Sequence, residues 1–242
     1  WLAETEYLEQ ELRSQSRALV GEVRLGLIPS AAHPLATTLF ERLQARHPGI
    51  RLDITEAQGT ELDALLDSAA VDLAVLFRLR QPSGGEEQWL CPAPTMLVSA
   101  PGDLVTGQAT VPFAGLQGLR LVLPRRPSHW RAALGEVARS LGFRLEAVIE
   151  ADSLTVQKEL VARTPGLYAI LAPYSVMAAV AEGRLQASPL VKPALSRHVT
   201  LSFPKHGKLS PAGRMVARTV RDIVAGWGNR LTPEQGAPGK GA

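Results

Sequence analysis

The chain has 242 residues, 45% of them hydrophobic, and a formal net charge of +3. Such a chain can bury one large or two modest cores, and the lack of an apolar run of about 18 residues argues against a membrane-spanning helix. The single cysteine, Cys91, excludes an internal disulfide and a multi-cysteine metal site, and the scattered Lys and Arg residues form no aromatic-lined basic stripe for nucleic acid.

The start of the chain suggests a piece of a longer protein, because it begins at Trp1 rather than Met. Removal of a signal peptide would give the same start, but no signal sequence is visible, and we expect a cytoplasmic location. Residues 1–20 lack Pro and Gly and place Leu8, Leu12 and Leu19 along a short heptad seam. We predict a linker helix that pairs with a partner, since a lone helix of this length is marginal in water; a surface helix packed on its own domain is the alternative.

Hydrophobic periodicity predicts a βαβαβ unit within the first 80 residues. Apolar residues alternate over 23–27 and 50–54, as in strands with one buried face, and 71–77 is nearly all apolar, as in a buried parallel strand. Between these strands, helical spacing predicts a helix over 34–47 and a second helix that Thr60 caps.

The same pattern returns after a connector at 104–118. Strands are predicted at 119–123, 143–149 and 168–171, with helices after Ser128 and Ser153. A further strand at 199–203 precedes a helix that starts at Ser210-Pro211. Two such units predict two α/β domains, with a crevice beyond the carboxyl ends of the strands. The loops expected to face that crevice are 29–33, 57–60, 77–80, 124–129, 150–153 and 172–174.

Four segments resemble the effector-binding domain of LysR-type transcriptional regulators: GEVRLGLIPS, FERLQARHPGIRLDITEAQGTELDALLDSAAVDLAVLF, TMLVSAPGD and LSPAGRMVARTVRDIV. The resemblance spans Gly21 to about Trp227. It implies an α/β fold of two Rossmann-like subdomains, like type-2 periplasmic binding proteins, preceded by the linker helix. The implied divisions are a linker helix at 1–20, subdomain I at 21–99 plus 200–228, subdomain II at 100–199, and a disordered tail at 229–242.

The resemblance also implies partners that the residues alone do not reveal. Promoter DNA would bind through a winged helix-turn-helix upstream of Trp1, and the full regulator would form a homodimer or homotetramer. A small-molecule effector would bind in the crevice between the subdomains.

Candidate effector contacts in subdomain I lie at the predicted turns. Ser30, beside Ala31, follows the first strand where a helix start leaves backbone N–H groups free, although water could satisfy these groups equally. Thr60 is a second hydroxyl at a helix start, with plain N-capping as its alternative role. Arg78 directly follows the third strand and could hold a carboxylate bidentately, or be solvated or salt-bridged instead.

Subdomain II contributes Arg125, Arg126 and His129, whose charge favours an anionic effector. Ser153 is a further candidate, although helix capping explains it equally well. Phe203, on the returning strand, could form a wall of the pocket or be buried in the hinge.

The sequence shows no catalytic constellation, phosphate loop or metal-spaced His pair, so we predict neither an enzyme nor a cofactor or metal site. GLIPS does not match the nucleophile elbow of hydrolases. Two alternatives to the regulator remain: a solute receptor of a transport system with the same fold, and an enzyme on the same scaffold.

Overall fold

A computed structural model describes residues 19–229. The predicted linker helix, except Leu19 and Val20, and the predicted tail, except Asn229, lie outside the described residues.

The first lobe is built on a five-stranded sheet. Its strands, in spatial order, are β2 (Ile50–Glu56), β1 (Gly21–Leu27), β3 (Leu73–Arg78), β11 (Ser196–Ser202) and β4 (Glu87–Pro94). The helices on this sheet are α1 (Pro29–Arg46), α2 (Gly59–Asp67) and α6 (Pro211–Asn229). The strands β1, β2 and β3 are parallel, whereas β11 runs antiparallel to both of its neighbours. The predicted unit β1-α1-β2-α2-β3 is therefore present.

The second lobe has a six-stranded sheet. Its strands, in spatial order, are β6 (Val111–Pro112), β10 (Gln186–Val191), β5 (Met96–Ser99), β9 (Leu167–Leu171), β7 (Arg120–Leu123) and β8 (Glu146–Glu150). The helices are α3 (His129–Ser140), α4 (Leu154–Arg163) and α5 (Met177–Ala181), with short 3-10 turns at Phe113–Leu116 and Pro173–Ser175. Because β7 pairs in parallel with β8 and β9, the second predicted βαβαβ unit is also present.

The chain passes between the lobes twice. It leaves the first sheet after β4 and enters the second at β5, with only Thr95 between them, and it returns between β10 and β11. Met96–Ser99 thus lies in the second sheet and Ser196–Ser202 in the first, a few residues from the predicted subdomain boundaries.

Each sheet buries apolar side chains on both faces. In β3, Leu73 and Val75 pack with α1 and α6, whereas the alternating Ala74 and Leu76 pack with Leu62 of α2. In the second lobe β9 divides its residues between two cores in the same way. This double burial explains why β3 and β9 have nearly continuous apolar sequences.

Two helix starts differ from the sequence prediction. The first helix begins at Pro29, not at residue 34, because Pro is well tolerated in the first turn, where no intrahelical donor is needed. The second begins at Gly59 after Gln58, so Thr60 is the second helical residue and the predicted capping role is wrong. Within residues 19–229, none of the helices has the length and apolarity needed to span a membrane.

Candidate ligand-binding site between the lobes

A cavity of about 370 Å³ lies between the lobes and is lined from both of them. The first lobe contributes the starts of α1 and α2 and the end of β3, and the second contributes the turn after β7 and the starts of α3 and α4. This volume falls in the range of small-molecule sites. The lining matches five of the six loops predicted to face the crevice; the exception is 172–174.

Two helices of the first lobe, α1 and α2, begin at the cavity without a side-chain cap. Ser30 and Thr60 are each the second residue of their helix, and both line the cavity. Unsatisfied N–H groups and the helix dipole give such a start a partial positive charge, which favours an anion or a polar acceptor.

Two helices of the second lobe, α3 and α4, start with a serine cap. The Ser128 hydroxyl accepts a hydrogen bond from the Arg131 backbone N–H at 3.3 Å, and the Ser153 hydroxyl accepts one from the Val156 N–H at 3.3 Å. Ser153 does not line the cavity, so its side chain serves the start of α4.

Arg78 reaches the cavity but is fully engaged by acidic neighbours. Its Nη1 and Nη2 donate to the two carboxylate oxygens of Asp63 at 3.0 and 2.6 Å, and its Nε donates to Glu87 at 2.7 Å. These hydrogen bonds raise the pKa of the guanidinium against the effect of burial. The salt-bridged alternative therefore describes Arg78, and its charge is already compensated.

Arg197 of β11 is the opposite case, because it is buried and no acid of the described residues is paired with it. It is 7% exposed, and the guanidinium carbon lies 4.3 Å from the ring centroids of both Phe77 and Trp130. Phe77 belongs to the first lobe and Trp130 to the second, so this stack bridges the lobes. Within residues 19–229 no Asp or Glu pairs with Arg197, and burial lowers its pKa to about 10.

Among the described residues, three buried polar atoms lack a hydrogen-bond partner: Trp130 Nε1, Tyr174 Oη and Arg197 Nε. They belong to one cluster, since Trp130 stacks on Arg197 and the ring of Tyr174 lies 6.0 Å from that of Phe77. Trp130 and Arg197 also line the cavity. Buried donors normally have a hydrogen-bond acceptor, so a cluster of three unpartnered polar atoms is unusual for a protein interior.

The cavity brings together Ser30, Thr60, Arg78, Arg125 and His129 from the predicted set. Three predicted contacts lie elsewhere, each for a local reason. Ala31 has no exposed surface and packs in the core of the first lobe, Phe203 packs against that same core, and Ser153 caps α4.

The sequence prediction missed the stack formed by Phe77, Trp130 and Arg197. Arg197 preceded the predicted strand at 199–203, whereas β11 begins at Ser196. Arg197 lies two residues before Val199 and four before Leu201, so on a strand its side chain lies on the same face as these two buried residues. A charged residue on a buried face is the signal that could have revealed it. Gln58 was missed too; its side-chain amide donates across the cleft to the Asp152 carbonyl at 3.4 Å.

Neither a metal nor a reactive thiol is indicated among the described residues. No group of His, Cys, Asp and Glu within 19–229 has the arrangement of a metal site. Cys91 lies in β4 and is 3% exposed, and burial raises the pKa of its thiol to about 12.

Two sheet-based lobes around a lined cavity define a ligand-binding domain of the periplasmic-binding-protein type. The family model described as "LysR substrate binding domain" matches residues 16–225, and the chain belongs to this family. The resemblance is thereby confirmed: the chain is the ligand-sensing domain of a LysR-type transcriptional regulator, and the transport-receptor alternative is not favoured.

Individual relatives agree with this family. A probable hydrogen peroxide-inducible genes activator of Mycobacterium leprae is 27% identical over 213 residues, 87% of this chain and 68% of its own length. The nitrogen assimilation regulatory protein nac of Klebsiella aerogenes is 24% identical over 231 residues, 93% of this chain and 72% of its own. The CcmR regulatory domain of Synechocystis PCC6803, in complex with 2-PG, shares the fold with a TM-score of 0.72 and 16% identity, over 84% of this chain and 97% of its own.

Proposed function

We propose that the cleft binds a small anionic effector and that binding controls how the whole regulator engages promoter DNA. The cleft lining carries this proposal: it combines two uncapped helix starts with Arg125, Arg126 and Arg197, for which the described residues form no salt bridge. Of its two carboxylates, Asp63 is bound to Arg78 and Asp152 accepts a hydrogen bond from the Arg125 backbone N–H at 2.9 Å. Arg125, Arg126 and Arg197 are left to attract an anion.

The two-lobed construction suggests how the signal is transmitted. A ligand that touches both lobes favours one angle between them, and it can shift the equilibrium only by its difference in affinity for the two geometries. In the full-length protein, a cytoplasmic homodimer or homotetramer, this change would move the winged helix-turn-helix domains relative to each other on DNA. The CcmR regulatory domain, solved in complex with 2-PG, supports a ligand site in this fold.

The name of the Mycobacterium leprae relative raises the question of whether peroxide is the signal. The cysteine chemistry of this chain argues against it. The thiolate is the form that reacts with peroxide, and redox-sensing cysteines have a low pKa and an exposed thiol. Cys91 has a raised pKa and a buried side chain, and it is the only cysteine of the sequence. A reversible, non-covalent effector therefore suits this domain better.

The experiment is a thermal-shift screen with small carboxylates, phosphate esters and neutral compounds, followed by a variant that fills the cleft. A ligand present at 100 times its Kd stabilises a folded protein by about 2.7 kcal/mol, which raises Tm by several degrees. Ser30→Trp places an indole in the cavity and should abolish the shift. His33→Trp is the matched control, since His33 is exposed on α1 and does not line the cavity.

Thr60→Trp fills the cavity from α2 and provides a second test if Ser30→Trp impairs folding. The proposal is supported if an anion raises Tm for the natural chain and for His33→Trp but not for the cavity-filling variants. It is contradicted if no compound stabilises the folded domain, or if the filled variants respond as the natural chain does.

A further inference from the structure

We propose that Arg197 holds the acidic group of the effector and that this group is a carboxylate. This inference rests on the function proposed above and specifies the chemistry of its ligand. It is drawn from two features of the cleft: the aromatic rings around Arg197 and the missing counter-charge.

Two aromatic rings hold the guanidinium of Arg197 in place. The ring centroids of Phe77 and Trp130 each lie 4.3 Å from the guanidinium carbon, a distance at which an aromatic ring attracts a cation. The N–H donors of arginine lie at the edge of the planar guanidinium. Because Arg197 lines the cavity, a ligand can meet that edge. The rings also fix the side chain before the ligand arrives, which lowers the entropic cost of binding.

The missing counter-charge indicates that the ligand is an anion. A buried cation is costly unless it is paired, and within residues 19–229 Arg197 has no acidic partner, while its Nε has no acceptor. Trp130, whose ring contacts Arg197, has a second buried donor without an acceptor, its Nε1. Arg78, in the same cavity, forms salt bridges with both Asp63 and Glu87. The acceptor that Arg197 lacks within the protein is what an acidic ligand supplies.

The charge and the shape of the site favour one carboxylate. A planar carboxylate matches the edge of a guanidinium and can accept two parallel hydrogen bonds. One buried cation balances one negative charge, and Arg197 is the buried arginine of the lining for which the described residues provide no carboxylate. The lining of the cavity is mixed, and about half of its residues are apolar. The larger apolar side chains are Ile28, Phe77, Leu79, Trp130, Leu154, Ile170 and Leu171.

The test uses four monocarboxylates, butanoate, hexanoate, benzoate and phenylacetate, each paired with its primary amide. An amide has nearly the shape of its acid but no charge, so the pair isolates the contribution of the anion. We expect at least one acid to bind the natural chain, at least 10-fold more tightly than its amide in calorimetry. Arg197→Met should weaken that acid roughly 10- to 100-fold and remove the preference for acid over amide.

Arg80→Gln is the matched control, because Arg80 is an exposed arginine near the cleft that does not line the cavity. It should change affinity less than about threefold, as expected for a solvent-screened charge. Arg197→Lys keeps the charge but not the planar fork, and should lose an intermediate part of the affinity. It also provides the measurement if Arg197→Met does not fold, as judged by circular dichroism.

Three results would overturn the inference: equal binding of acids and amides, an unchanged acid preference in both Arg197 variants, or no binding of any acid to the folded domain. Preferential binding of a phosphate ester would overturn the choice of a carboxylate while leaving the proposed function standing. Failure of the proposed function is seen separately, as equal ligand responses in the natural chain and the cavity-filling variants.

Discussion

Two arginines of the cleft show how neighbouring groups decide what a residue can do. Arg78 lies at the end of β3, where its guanidinium joins Asp63 of α2 to Glu87 of β4. Its hydrogen bonds hold these three elements of the first lobe together. Arg197 has the same side chain between two rings, with no acid among the described residues beside it. The first is therefore suited to stability and the second to recognition.

This contrast predicts that Arg78→Met lowers stability and leaves the ligand preference unchanged. Removal of the cation leaves Asp63 and Glu87 without their shared partner, and we expect the free energy of unfolding to fall by about 1 to 2 kcal/mol, since the groups are partly exposed. Urea denaturation measures the loss. Arg80→Met, at an exposed site two residues further on, should change stability by less than about 0.5 kcal/mol. A stable Arg78→Met variant that no longer distinguishes acids from amides would reverse these roles.

At the scale of helices and strands, hydrophobic periodicity was the signal that predicted several strands of both lobes. Continuous apolar runs located β3 and β9, and alternation located β1 and β2, because burial on two faces or one face leaves those patterns. Helix starts were harder to place, since Pro29 is equally compatible with the end of a strand and the first turn of a helix. Strand β4 and the start of β11 pair with each other, and no local sequence pattern reports this pairing.

Ser153 provides a test of whether a residue at the cleft edge acts on its helix or on a ligand. The hydroxyl accepts from the Val156 N–H, so Ser153→Ala should lower the free energy of unfolding by about 1 kcal/mol, and Ser153→Asp should restore most of it. Chemical denaturation of both variants gives these values, with the loop substitution Ser83→Ala as the neutral control. Ligand affinity should be unchanged in Ser153→Ala, and a specific loss of affinity at unaltered stability would restore Ser153 to the list of contacts.

For the whole molecule, the two lobes could be predicted from the repeated βαβαβ pattern, but the residues that join them could not. Phe77, Trp130 and Arg197 are separated by more than fifty residues of sequence at each step, and only the folded hinge brings them together. The Gln58 amide adds one hydrogen bond across the cleft, to the Asp152 carbonyl. The contacts between the lobes thus lie partly at the place of the proposed ligand and partly where Tyr174 of the second lobe stacks on Trp227 of the first, with ring centroids 4.6 Å apart.

We therefore expect that loss of the Trp130 ring loosens the angle between the lobes. Spin labels on cysteines at Glu41 of α1 and Glu136 of α3, both exposed, report the distance between the lobes in a Cys91→Ala background. Trp130→Leu removes one face of the Arg197 stack, so the distance distribution from pulsed electron resonance should broaden. A binding carboxylate should narrow it in the chain that retains Trp130. Trp89→Leu is the matched control, since Trp89 is exposed on β4 and contacts His198 of the same lobe. Equal distributions in the two variants would show that the stack does not set the angle between the lobes.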